Sequence, residues 1–257
     1  MSTQKPAALV IGGTGAVGKA LTRDLLRTGA FRRVTTAGRR PVVFEPGGEV
    51  PTDRLVQYVV DFENLHEYRE AFRGHDVVFC ALGTTRAAAG SVENFIQIEQ
   101  DYVINIAAIV AEENPSQDDK QALSPVHFVY CSSIGAKASS PFLYFRTKGE
   151  TENILRETSS FTRMTIVRPS GLEVEERRGR STDIGEAIAF KVFAAPLKYF
   201  GLKLSVPVAV VARAMRRLAI GGIPEEVVIK KEVEQTGMVL AVVGYKDVAK
   251  VGKMEDR

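Results

Sequence analysis

Short apolar runs alternate with segments of helical period along the first two-thirds of the chain. Residues 7–11, 33–37, 55–60, 76–81, 126–131 and 164–167 are rich in β-branched and other apolar side chains, the pattern of strands buried on both faces. Between them, residues 17–27, 65–72, 92–111 and 144–157 read as helices, with apolar positions recurring on one face. Gly29 follows the first helix, where a glycine suits the C-cap. This alternation predicts βαβ units, a parallel sheet with helices on each side, and the strand order 3-2-1-4-5-6. Residues 41–51 read as a Pro/Gly-rich loop and 112–125 as an exposed connection.

After Pro169 the rhythm changes. Residues 173–182 read as a charge-rich loop, 184–193 as a helix and 195–206 as short elements. Pro207 can open a helix through Leu218, with a strand following at 227–231. Residues 238–243 fit either a strand or the buried start of a helix. No internal repeat is visible, and residues 1–257 read as one domain.

Composition narrows the classes. A chain of 257 residues can bury its own core without disulfides or structural metal. Its 34 Lys+Arg and 31 Asp+Glu leave a net charge of +3, too near balance for a dedicated nucleic-acid binder. Cys80 and Cys131 lie in apolar runs and read as reduced core residues; they and His66, His75 and His127 lack metal-ligand spacing, so no metal is expected. The first strand is expected to begin at residue 7, so no cleavable leader is expected. No apolar stretch approaches the roughly 20 residues of a membrane helix. A cytoplasmic protein without an integral membrane segment is expected.

Gly12, Gly15 and Gly18 sit directly after the first strand and open the first helix. Glycines there allow a tight turn, close approach of backbone to a pyrophosphate, and close helix–sheet packing. The helix N-terminus then receives the phosphate charge. The end of strand two carries Arg39 and Arg40 rather than the acid that usually binds an NAD ribose. Two guanidinium groups suit a 2′-phosphate, which favours NADP(H). Asp61 ends strand three, placed either to bond an adenine amino group or to cap the helix before Leu65.

Tyr144 and Lys148 are four residues apart and share a helix face. A nearby ammonium stabilises a phenolate, and its other hydrogens can bond ribose hydroxyls. Ser133, just past strand five, is placed to orient a substrate oxygen. The plainer reading is an exposed helical pair with a strand-end cap. The order of the motifs along the chain selects the catalytic one.

These residues carry a resemblance. GGTGAVG at 12–18, AGRR at 37–40, VVDF at 59–62 and CALGTTRAAAG at 80–90 are similar to the short-chain dehydrogenase/reductase superfamily, in its atypical and extended branch. SSIGA at 132–136, FLYFRTKGE at 142–150, RPSGL at 168–172 and SVPVAVVARAM at 205–215 continue the match. Within that branch the chain most resembles the Tat-interacting oxidoreductase-like family and its fungal relatives. The resemblance implies a doubly wound α/β (Rossmann) fold with a small C-terminal substrate-side lobe at residues 170–225. It implies that Gly12, Thr14, Gly15, Ala16, Val17 and Gly18 form the nucleotide loop and that Arg39, with Arg40 beside it, selects the phosphate. Asp61 and Phe62 would meet the adenine. Leu82, Gly83, Thr84 and Pro169 would line the cofactor, with Ser133, Tyr144 and Lys148 catalytic and Ser132 close enough to be confused with Ser133. Two departures are the longer connection at 112–125 and a weak match after Gly221.

The leading functional expectation is an NADPH-dependent oxidoreductase acting on a small carbonyl or alcohol substrate. A different class, an NADP(H)-binding scaffold that regulates a protein partner with little turnover, is the alternative. An epimerase would use the same triad, and the short lobe argues against a large sugar nucleotide. A monomer or weak homodimer is expected, and the family resemblance implies peripheral association with the mitochondrial outer membrane among its relatives.

Overall fold

In the computed structural model, which describes residues 4–44, 50–117, 123–158, 160–173, 205–221, 231–234 and 236–254, the apolar runs pair as one sheet. Strands β1 (Ala7–Ile11), β2 (Arg33–Gly38), β3 (Leu55–Val59), β4 (Val77–Cys80), β5 (Ser124–Cys131) and β6 (Phe161–Val167) run parallel in the order β3-β2-β1-β4-β5-β6. Strands β7 (Gly171–Glu173) and β8 (Ser205–Pro207) form a separate parallel pair. Past β6 the main sheet continues with β10 (Val239–Val243), parallel, and ends on β9 (Lys231–Val233), antiparallel. The predicted strand order holds, with two strands added at one edge.

Side-chain alternation along the strands divides the interior into two layers. Ala8 and Val10 of β1 join one layer with Phe79, Val129 and Val243. That layer is covered by α1 (Ala16–Thr28), α6 (Val208–Ile220) and α7 (Tyr245–Lys253). Leu9 and Ile11 point the other way and join Val78, Phe128, Tyr130 and Ile166. Helices α4 (Tyr102–Glu113) and α5 (Leu143–Thr158) cover that face, together with a short 3-10 helix at Leu65–Phe72.

Several sequence expectations change. The single helix read at 92–111 is three pieces: α3 (Val92–Ile96), a π turn at Gln97–Asp101, and α4, preceded by a short α2 (Arg86–Ala89). Residues 112–125 are not simply an exposed connection. Helix α4 runs to Glu113, and buried Asn114 binds the amides of Gly74 and His75 and the carbonyls of Phe72 and Val110. Residues 238–243 resolve as strand β10. Helix α7, whose Val248 and Val251 pack into the core, was not anticipated. Of the strand read at 227–231 only Lys231 is described, and it begins β9. The helix read at 184–193 lies outside the described residues, as do the loop read at 173–182 apart from Glu173 and the short elements at 195–204.

Candidate active site

Parallel pairing brings the C-terminal ends of β1 to β6 to one edge, and the predicted site residues follow those ends. Gly12 turns the chain out of β1 at φ +79°, and a Cβ there would lie 2.6 Å from the Ala81 carbonyl oxygen. A Cβ at Gly18 would lie 2.1 Å from the Gly12 carbonyl oxygen. These two positions need glycine for close approach. Gly15 caps α1 in extended conformation, and no side chain caps the helix. The amides of the first turn are therefore left for an outside acceptor. Thr14 and Gly15 are exposed and Ala16 is half-buried. The Val17 side chain packs into the core, so only its backbone can serve a ligand.

Arg39 and Arg40, beyond β2, are exposed and form no hydrogen bond or ion pair with other described residues. Asp61 is committed to its own turn: its carboxylate accepts from the Glu63 amide at 3.0 Å and from Asn64 Nδ2 at 2.8 Å. Those two bonds hold its pKa below the usual carboxylate value. Phe62 is buried and stacks on Tyr102, ring centroids 5.5 Å apart. The Tyr102 hydroxyl donates to Glu63 at 3.1 Å. Burial and Glu63 raise the Tyr102 pKa, while the Arg39 charge acts to lower it. Beside this stack lies an open cleft of about 400 Å³, lined by Phe62, Glu63, Gln97 and Tyr102 among others. Leu82, Gly83 and Thr84 follow β4, and the Thr84 amide donates to Glu99 Oε1.

Adjacent serines after β5 point to different partners. Ser132 donates to Glu152 Oε1 at 2.5 Å, and Arg168 grips both oxygens of that carboxylate. Ser133 donates to the Ile134 carbonyl at 3.1 Å and lies near enough to the Tyr144 hydroxyl to act on its ionisation. The Ile134 amide donates to the Pro169 carbonyl at 2.8 Å, tying this loop to the end of β6. Burial pushes the Tyr144 pKa up to about 12; Lys148 pulls it down, Glu99 pushes it up, and Ser133 lowers it.

Lys148 is not an exposed partner of Tyr144. It is 3% exposed, with Nζ 2.8 Å from Glu99 Oε2, 3.1 Å from the Tyr130 hydroxyl and 3.4 Å from the Cys131 carbonyl. Burial pulls its pKa down, but Glu99, with Tyr130 and Tyr144, outweighs burial and holds the ammonium well above the ordinary lysine value. Burial pushes the neighbouring thiols up, Cys80 to about 12 and Cys131 to about 11.

Glu99 and Tyr130 were missed by the sequence reading. Glu99 is 1% exposed and sits on the π turn between α3 and α4. Its sequence signal is an acid on an apolar stripe, in step with buried Phe95, Val103 and Ile106. Tyr130 offered only its place in an apolar strand. Among the described residues no group of three or more His, Cys, Asp or Glu is placed to hold a metal ion. None of their helices is long and apolar enough to cross a membrane.

A parallel α/β sheet with a glycine turn and an uncapped helix N-terminus at its C-terminal edge defines the class of dinucleotide-binding proteins. A family model described as NAD(P)H-binding matches residues 12–191, and the chain belongs to that family. It is 38% identical over 212 residues to Protein HTATIP2 of Rattus norvegicus, covering 82% of this chain and 80% of that one. It is 33% identical over 198 residues to Protein FMP52, mitochondrial, of Debaryomyces hansenii, covering 75% of this chain and 79% of that one. These relatives bear out the resemblance seen in the motifs. Among solved structures, a short-chain dehydrogenase/reductase from Saccharomyces cerevisiae superposes with a TM-score of 0.60 at 15% identity, covering 96% of this chain and 99% of that one. A wide-type relative from Veillonella parvula in complex with NADP gives 0.52 at 16% identity, covering 93% and 94%. At such identity these two establish the fold alone.

Proposed function

We propose that the chain is an NADPH-dependent oxidoreductase that moves hydride between the nicotinamide and a small carbonyl or alcohol substrate. The observation that carries this reading is the grouping of Ser133, Tyr144 and Lys148 at the same sheet edge as the glycine turn, with Ser133 and Lys148 both acting on the Tyr144 hydroxyl.

The residues present fit a dinucleotide. Gly12 and Gly18 leave no room for a Cβ, the first turn of α1 has no side-chain cap, and two exposed arginines stand at the end of β2. Thr14, Gly15, Ala16 and the Val17 backbone would hold the diphosphate, and Arg39, with Arg40, the 2′-phosphate. Phe62 and Asp61 would meet the adenine, and Leu82, Gly83, Thr84 and Pro169 the remainder. When bound, the cofactor supplies or accepts the hydride. Tyr144, protonated at neutral pH, gives its proton to the substrate oxygen that Ser133 holds. Lys148 sets the charge around that phenol. For it to bond the ribose as well, it must give up one of three present partners, of which the Cys131 carbonyl is the longest at 3.4 Å.

That saturation favours a second reading, an NADP(H)-binding regulatory protein with little turnover. A panel of aldehydes and ketones, read by NADPH consumption, separates the two. Consumption by the wild type that is lost in Tyr144→Phe supports the oxidoreductase. Tight NADPH binding without consumption on any member supports the second reading. We further place the substrate lobe at residues 170–225 of a single domain. The mitochondrial names of the fungal relatives support a mitochondrial association, which cell fractionation tests.

A further inference from the structure

We propose that Glu99 is a positioning residue that cancels the charge of Lys148 at Tyr144, so that Tyr144 stays a phenol poised to give a proton rather than a phenolate poised to take one. The inference rests on the assignment of Tyr144 as the proton-transferring group and adds what sets its direction.

An ammonium near a tyrosine ordinarily favours the phenolate. Here the ammonium of Lys148 has a carboxylate 2.8 Å away, and both groups are almost wholly buried. Two opposite charges so close act on a third group nearly as a dipole, and their effects on Tyr144 oppose each other. The carboxylate is held from two sides. The π turn carries Glu99 inward, Oε1 accepts from the Thr84 amide, and Oε2 faces Lys148. A glutamine could serve the Thr84 amide equally well with its carbonyl oxygen, so the contact unique to the carboxylate is its charge against Lys148.

Among the described residues, the groups that act on Tyr144 come from several elements. Lys148 comes from α5, Glu99 from the π turn, Ser133 from the loop after β5, and Cys131 from the end of β5, while Phe95 and Phe145 wall its ring. Among these described residues Lys148 is the cation that acts on Tyr144, and Glu99 is its ion-pair partner. Burial is the main cause of the upward shift at Tyr144; beneath it Lys148 pulls down and Glu99 pushes up, the opposition expected of an ion pair. The consequence is a site with its proton donor intact through neutral and mildly alkaline pH. Alcohol oxidation, which needs the phenolate, is confined to high pH.

The test is an ultraviolet titration of tyrosine ionisation. Tyr144 is isolated from the seven tyrosines of the chain by difference against Tyr144→Phe in each background. In Glu99→Gln the Tyr144 midpoint should fall by about one pH unit or more, because the lysine then acts alone. An unchanged midpoint in a variant with wild-type circular dichroism overturns the proposal. The double variant Glu99→Gln with Lys148→Met replaces a neutral pair by a neutral pair and leaves no buried charge, so it serves if the single variant fails to fold. Its midpoint should stay within about half a unit of wild type; a rise of about one unit or more means that the lysine's charge acts uncancelled, and overturns the proposal. Neither titration uses cofactor or substrate, so failure of this claim and failure of the oxidoreductase reading are separate results.

Discussion

The two ends of the candidate site are built from different materials. At the cofactor end the parts are backbone and exposed side chains: a glycine turn, an uncapped helix N-terminus, and Arg39 and Arg40 in solvent. At the chemical end they are buried side chains paired with one another, Glu99 on Lys148 and Thr84, Lys148 on Tyr130, Ser132 on Glu152. The difference teaches where function and stability separate. An exposed arginine can be removed with little effect on folding. A buried charge cannot be removed from its partner without a large penalty.

The sharpest break in the comparison is at Tyr144. Tyr144→Phe keeps the ring and its packing on Phe95 and Phe145, so folding and NADPH affinity should hold while turnover falls by roughly 10²–10⁴, measured as kcat on a substrate found in the carbonyl panel. Next comes Lys148→Met, which strands Glu99 in the interior. It should lower unfolding free energy by about 3–5 kcal/mol in urea titration. A loss under about 1 kcal/mol would be the scale of a solvated pair and would erase the distinction between the two ends.

His75 supplies a reference distant in kind from both ends. It is 5% exposed, with Nε2 3.2 Å from the Ala71 carbonyl, and burial, aided by Arg33 and Arg32, pulls its pKa down to about 4. The unfolded chain therefore takes up the proton first as pH falls. Stability from this group is complete above about 6.5 and is lost toward pH 4, by roughly 2–3 kcal/mol. In His75→Gln that part of the acid loss should be absent, read as unfolding midpoint against pH. If the slope is unchanged, acid sensitivity lies elsewhere, and the buried pair at Lys148 is the next place to look.

How far each end could be read from sequence follows from the same difference. Gly12 and Gly18 stand out because a backbone constraint names its own residue: only glycine fits 2.1–2.6 Å from a carbonyl. Strands β1, β2, β4, β5 and β6 stand out because burial on both faces leaves few polar residues to obscure them, whereas β3, at the sheet edge, keeps Val56 and Val59 exposed. Glu99 does not. On a helical wheel it is a flaw in the stripe of Phe95, Val103 and Ile106, and only the packing of α5 against the π turn supplies the lysine that explains it. The same turn divides a segment that periodicity alone reads as one helix. Ser132 and Ser133 are equivalent in sequence; tertiary contact sends one to Glu152, while the other donates to the Ile134 carbonyl beside Tyr144. Asp61 fits two roles by position, and the bonds it makes are those of the turn.

The central claim is an NADP(H) site whose phosphate selection lies at the end of β2, and calorimetric titration of NADPH and NADH into wild type and Arg39→Ala tests it most directly. Wild type should bind NADPH more tightly than NADH. In Arg39→Ala the NADPH affinity should fall about tenfold to a hundredfold, the worth of one charge-assisted bond, while NADH affinity stays the same. Unfolding free energy should change by no more than about 0.5 kcal/mol. Equal losses for the two cofactors, or no binding of either to the wild type, would contradict the account.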